Sequence, residues 1–184
     1  MRKNPISSNA CGPSDSRCRA FTLIELLVVI VILSILMAIV FSAVKGALDA
    51  ATKTLAKNDV AQIATAITAF EAEYGRLPTN STNVSGALLE SLMGITNATN
   101  SDNPRTIVFL EVQAAKKGKG GTNSKGYVDP WTTNVAYAVA MDTNYDNHIS
   151  VSTNGTASGS YDLVKKVGVW NVNTNSRRQV RSWD

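Results

Sequence analysis

The sequence predicts an α+β protein: one long N-terminal helix, membrane-spanning in its first half and amphipathic in its second, packed on a small antiparallel β-sheet. Three observations predict it. From Leu26 to Val44 no residue is charged, a helical length of about 29 Å that matches one bilayer hydrocarbon core. Beyond Lys45 the pattern continues without proline through GALDAATKTLAKNDVAQIATAITAFEAEYG, where Val60, Ile63, Ile67, Phe70 and Tyr74 recur at spacings of three or four, as on one face of a helix. The second half of the chain instead carries RTIVFLEV, NVAYAVAM and VGVWNV, short runs rich in β-branched and aromatic residues that read as strands.

The elements follow in order. Residues 1–20 are basic: Arg2, Lys3, Arg17 and Arg19 precede the apolar run, so the positive-inside rule keeps the N-terminus cytoplasmic and sends the chain from about Lys45 onward across the membrane. Of the formal +4 on the 184-residue chain, residues 1–20 contribute +3, which leaves +1 for the rest. Net charge therefore gives no reason to expect a nucleic-acid partner. Both cysteines, Cys11 and Cys18, also lie in this segment. Without it no disulfide is available, and stability must come from packing, assembly or a metal.

Several readings of the apolar run compete. A secretory signal has a shorter apolar region cut after a small residue, whereas the helical pattern here continues. A lipoprotein signal places its cysteine after the run, not before it. A single-span anchor explains all but Glu25, because a carboxylate costs about 2.5–3.5 kcal/mol at the membrane centre unless it snorkels or is paired. Glu25 is then either a charge tolerated at the interface or half of a pair.

The basic leader, the small residue and FTLIELLVVIVIL within residues 17–45 closely resemble the class III signal of type IV prepilins and type II secretion pseudopilins. The resemblance implies a pilin-like fold. It further implies that residues 1–20 are a leader removed by a membrane-bound prepilin peptidase between Ala20 and Phe21, with N-methylation of Phe21. Ala20 stands where the family strongly prefers glycine. Residues 21–45 then form the transmembrane and assembly half of the helix, 46–75 its amphipathic half, and 76–184 a C-terminal α/β globular region. The implied protein is a structural subunit and not an enzyme, held by one pass in the inner membrane with its C-terminal domain periplasmic. Its implied partners are copies of itself in a helical filament, minor pseudopilins and an inner-membrane assembly platform. In such a filament the Glu25 carboxylate of one subunit meets the α-amino cation of Phe21 on a neighbour, and a pair in low dielectric offsets the desolvation of either charge alone. Glu25 would thereby set axial register.

Gly75 and Pro78 end the helical pattern, giving a helix of about 80 Å from Phe21, with Gly46 as its soft point at about 1 kcal/mol relative to alanine. A Ser/Thr/Asn-rich loop follows, then a short amphipathic helix carrying Leu88, Leu89, Leu92 and Met93. KKGKGGTNSKG reads as a solvated loop between strands or as a patch for an anionic ligand. DPWTTNVAYAV, GVWNVN and the terminal VRSW resemble the segment before the sheet, the closing strand and the tail of major pseudopilins. Trp131 and Trp170 are expected in the core.

MDTNYDNHISV places Asp142, Asn144 and Asp146 at alternate positions, as at the start of an oxygen-ligand calcium loop. Asn147 and Thr153 replace the glycine and closing glutamate of an EF-hand. Major pseudopilins carry a calcium site in their C-terminal loops, so the resemblance implies Ca²⁺ here; by composition alone the stretch is equally an Asx-rich hairpin turn. His148, the only histidine, is expected as an exposed turn residue. No nucleophile elbow, phosphate loop or other catalytic constellation occurs. The sequons at Asn80, Asn83, Asn97 and Asn154 read as polar loop composition. A function of another class, a membrane-anchored calcium- or glycan-binding protein that never polymerises, is the alternative. Cleavage before Phe21 predicts an intact mass for membrane-extracted protein that begins at Phe21 and carries one added methyl group; material that uniformly retains Met1 contradicts it.

Overall fold

The computed structural model describes residues 21–79, 81–95, 102–134, 136–153, 159–173 and 175–184. Residues 1–20, expected as a leader, and the sequons Asn80, Asn97 and Asn154 lie outside them. The element order is α1 (Leu23–Tyr74), α2 (Gly86–Met93), β1 (Gly121–Asn123), β2 (Gly126–Val128), β3 (Tyr137–Met141), β4 (Ile149–Thr153), β5 (Gly159–Leu163), β6 (Val167–Asn171) and a single 3₁₀ turn, Ser176–Arg178. This is an α+β arrangement, a long N-terminal helix followed by small antiparallel sheets. The chain divides into two units at Lys45 and Gly46.

In the first unit, every large apolar side chain from Leu23 to Val44 is exposed. The helix that contains them is long and apolar enough to cross a membrane, with an 18-residue window of mean hydropathy 3.2. α1 continues through Gly46 as regular helix.

In the second unit the α1 stripe is buried as its spacing predicts. Ala56, Val60, Ile63, Ala66, Ile67 and Phe70 are all at most 2% exposed, while Tyr74 is half-buried and packs on Phe70 with ring centroids 4.7 Å apart. Gly75 ends the helix at φ 65°, its N–H donating to the Glu71 carbonyl at 2.8 Å. A left-handed residue at that position is what the absence of a Cβ permits. Leu88, Leu89 and Leu92 of α2 join the same core.

Where one small antiparallel sheet was expected, the described residues form three two-stranded antiparallel pairs, β1–β2, β3–β6 and β4–β5. Short bridges extend the middle pair. On one side of β3 the Val84 N–H donates to the Tyr137 carbonyl and the Val139 N–H to the Thr82 carbonyl, both at 3.0 Å. On the far side of β6 the Asn171 N–H donates to the Val180 carbonyl at 3.1 Å and the Ser182 N–H to the Val169 carbonyl at 2.8 Å. Gly168 admits the β4–β5 hairpin: a Cβ there would stand 2.8 Å from Cδ1 of Ile149 and 3.3 Å from the Trp183 ring.

Residues 105–112, expected as a strand, are not one. Phe109 and Leu110 both donate their N–H groups to the Leu92 carbonyl at the end of α2, each at 2.9 Å. The buried side chain of Asn103 holds the preceding turn, donating to the Ser91 and Ile107 carbonyls at 2.8 and 2.7 Å and accepting from Ile107 N–H at 3.1 Å and from the Tyr74 hydroxyl at 2.6 Å. The apolar run is satisfied by side-chain burial and these bonds rather than by a ladder. The glycine-rich linker also differs from expectation, since its end forms β1 and β2 around the two-residue turn Ser124–Lys125. Trp131 is half-buried at the core margin. Trp170 is half-buried outside the core, edge-on to Trp183 at 5.9 Å.

One carboxylate ties α1 to the strands. Asp59 accepts the Tyr127 hydroxyl on Oδ1 at 2.9 Å and the Tyr137 hydroxyl on Oδ2 at 2.7 Å. Burial raises the Asp59 pKa, against the opposing effect of the two tyrosine hydrogen bonds. Burial and the adjacent carboxylate raise both phenols far above their usual range. Because the Asp59 pKa is higher folded than unfolded, the native state holds the extra proton between the two values, and this group's contribution to stability falls as pH rises through that window. In equilibrium unfolding of the full chain, the stability difference between wild type and Asp59→Asn should decline as pH rises from near 3.8, the unperturbed value. A difference independent of pH would overturn this reading. Asp59→Leu should cost about 1–3 kcal/mol for each hydroxyl left unpaired.

Candidate functional site

The start of α1 follows directly from its sequence. Phe21 is exposed and precedes the helix. Thr22 caps it: the Glu25 N–H donates to the Thr22 hydroxyl at 3.3 Å and to its carbonyl at 3.1 Å, and the Leu26 N–H donates to the same carbonyl at 3.3 Å. Thr22 and Glu25 have the spacing of a capping box, in which the cap hydroxyl takes up an N–H that the first turn leaves unpaired. Glu25 is thus an acidic residue in the first helical turn, where the positive end of the helix dipole favours a negative charge. The exposed Glu25 thus lies in the turn that directly follows the chain position that becomes an α-amine if cleavage occurs before Phe21. Sequence reasoning singled out Glu25 and passed over Thr22, although the threonine three residues before a glutamate was the available signal.

The second candidate, the β3–β4 loop, closes around Asp142. This side chain is 2% exposed, and its two oxygens accept the N–H groups of Asp146 at 3.2 Å and Asn147 at 2.7 Å. Tyr145 and Asn147 both have positive φ, 60° and 64°, so the turn is a tight one. Asp146 accepts the Asn144 side-chain amide at 2.7 Å and the His148 N–H at 2.8 Å. The three predicted ligands are therefore brought onto one turn, with an oxygen donor set suited to a hard cation. Asn144 faces Asp146 with its amide nitrogen, and it would have to turn its oxygen inward to act as a ligand. Among the described residues no group of three His, Cys, Asp or Glu side chains is placed to hold a metal. His148 is exposed, 3.8 Å from the Asp162 carboxylate.

The Asp-Pro-Trp segment is a structural turn. Asp129 is buried, and its Oδ1 accepts the N–H groups of Trp131 at 3.0 Å and Thr132 at 2.8 Å. The side chain of Asn171 donates to Asp129 Oδ2 at 3.4 Å and to the Arg178 carbonyl at 2.8 Å, while its oxygen accepts the Val180 N–H at 2.9 Å. The turn and the C-terminal tail are thereby fixed to β6. An aspartate ahead of proline is a turn former.

Residues 15–41 match the family model described as the prokaryotic N-terminal methylation motif. That match spans the expected cleavage position, Thr22, Glu25 and most of the exposed apolar part of α1. Comparison with curated proteins and with solved structures gives no match. The motif supports a prepilin-type chain that is processed by a prepilin peptidase and associated with a membrane through one apolar helix.

Proposed function

We propose that the chain is the processed subunit of a type IV pilin-like filament, of the type II secretion pseudopilus kind, cut between Ala20 and Phe21 and polymerised through its N-terminal helix. The observation that carries this reading is the methylation motif at residues 15–41, lying over a helix start whose first turn is capped by Thr22 and contains Glu25. Before assembly the subunit sits in the inner membrane with residues from Gly46 onward periplasmic. Heterologous contacts repeated from copy to copy generate an open helix, so many copies, with minor pseudopilins and an inner-membrane platform, make up the working assembly. The choice of pseudopilus over surface pilus rests on the likeness of the later segments to major pseudopilins.

Calcium belongs to the same proposal. Asp142, Asn144 and Asp146 would hold Ca²⁺ through oxygen once Asn144 turned, and the ion would neutralise two carboxylates in a globular unit without a disulfide.

Two measurements test these statements. Glu25→Leu should leave membrane insertion intact, because an apolar residue is favoured in that position, yet abolish or strongly reduce filament yield through loss of the charge pair. Normal filament yield from that variant would show the carboxylate to be incidental, and a wild-type chain that inserts but never assembles would favour a lone anchored domain. For calcium, thermal unfolding of the full chain in detergent should shift upward relative to chelator by about 2.7 kcal/mol in stability when calcium stands at about a hundred times its dissociation constant. Asp146→Ala should remove that increment. It is preferred to Asp142→Ala, which strips the acceptor of two loop N–H groups and destabilises the turn with or without calcium. Identical unfolding with calcium and with chelator would reduce the loop to a polar turn.

A further inference from the structure

A groove of about 320 Å³ lies over the β3–β6 pair, with Val139 and Val172 among its lining residues, away from the strand residues Tyr137 and Val169 that enter the core. Its floor is Ala138 and Ala140, small side chains that leave room above the sheet. One wall is Trp170; the rim carries Thr82, Asn83, Ser150 and Ser152. Strand alternation explains the serines: along β4 Ile149, Val151 and Thr153 are buried while Ser150 and Ser152 between them are exposed. Among the described residues no hydrogen bond, ion pair or ring contact engages the side chains of Thr82, Asn83, Ser150 or Ser152.

The chemistry of this lining is specific. None of the described residues lining the groove is ionisable, so nothing there favours an anion or a cation. Three hydroxyls and one amide offer donors and acceptors in every direction, and one indole adds a broad apolar face. Strand β3, which forms the floor, has neighbours along both edges, residues 82–84 and β6, and therefore presents side chains rather than an open backbone edge to an incoming strand. A ligand that is uncharged, rich in hydroxyls around its rim and apolar on one face fits this set. We propose that the groove binds a neutral saccharide, with a pyranose ring against Trp170 and its hydroxyls bonded to Thr82, Asn83, Ser150 and Ser152. The volume suits one or two sugar rings, and recognition by a few placed polar groups around an aromatic surface follows the general pattern of small-molecule sites. The site lies within residues 82–172, outside the methylation motif, so its test stands or falls apart from assembly.

The experiment uses the full chain in a detergent without a sugar headgroup and reads saturation transfer by NMR to cellobiose, maltose and N,N′-diacetylchitobiose in turn. Transfer to the ring protons of at least one disaccharide is expected. Ser150→Ala and Ser152→Ala should each weaken that binding by about 2- to 10-fold, as for a lost neutral hydrogen bond. Ala140→Leu should abolish it by filling the floor from a half-buried position. Thermal unfolding accompanies each variant, and the exposed serine variants decide the matter if Ala140→Leu alters the fold. Trp170→Ala is a weaker test, because it also removes the contact with Trp183. Absence of transfer to all three disaccharides, or transfer unchanged in variants that remain folded, overturns the proposal. Binding of an extended neutral peptide with no response to any sugar overturns it equally.

Discussion

Burial of one stripe of α1 governs the globular unit. Val60, Ile63, Ile67 and Phe70 are essentially sealed from solvent, and each buried side chain of that size contributes roughly 1.5–3 kcal/mol. Everything else in the unit is arranged to cover that stripe: α2 through Leu88 and Leu92, residues 109–110 through their apolar side chains, and β3 and β6 through their inward-facing residues. Asp59 interrupts the polar side of this contact, and there the protein uses a different device. Two tyrosine hydroxyls, from β2 and β3, meet its two oxygens, so a partly buried charge is compensated and two strands are set against the helix at once. An uncompensated carboxylate in that position would weaken the packing it sits in.

The helix, its buried stripe, α2, β3 and β6 were legible in the sequence because each rests on a periodicity or on a concentrated apolar run. The errors have one physical source. RTIVFLEV has the composition of a strand, but composition says nothing about whether a partner edge is within reach; the carbonyl of Leu92 and the amide of Asn103 took up its backbone groups instead. β4 and β5 were overlooked for the opposite reason. Their exposed positions are Ser150, Ser152, Ser160 and Asp162, residues that read as loop unless alternation is weighed above polarity. β1 and β2 are only three residues each and lie in a segment whose glycines and lysines suggest solvent. One of those glycines, Gly126, has φ 138°, and a Cβ on it would come within 2.7 Å of Cβ of Ser85; close backbone approach, not looseness, is its reason.

The candidate site rests on a different kind of signal from the fold. A charge inside an apolar run demands an explanation from sequence alone, and Glu25 received one. Its local role required coordinates: the capping bond from its own N–H to Thr22 shows that the same residue pair also begins the helix. The two roles are compatible. The Glu25 N–H serves the cap, the helix dipole favours the carboxylate at the helix start, and the side chain is exposed, as the proposed pairing requires. For Asp142 the coordinates add hydrogen bonds from loop amides to the carboxylate, which cannot be read from spacing.

The unit beyond Gly46 has no cysteine, and the structure indicates what serves in place of disulfides. Asn103, Asp129, Asp142 and Asn171 are each at most 3% exposed, and each side chain ties an irregular segment in place. Asn103 joins α1 and α2 to the turn before residue 109; Asp129 and Asn171 join the Asp-Pro-Trp turn, β6 and the tail; Asp142 closes the β3–β4 loop. Such hubs stabilise only while every bond is made, because a buried amide or carboxylate that loses a partner pays its full desolvation cost. A disulfide restrains the unfolded chain as well as the folded one, whereas these hubs act only in the folded state. The loop architecture is therefore bound to the packing of the α1 stripe: when that packing opens, water reaches the hubs, the alternative hydrogen bonds become available, and the irregular half of the unit has nothing left to hold its shape.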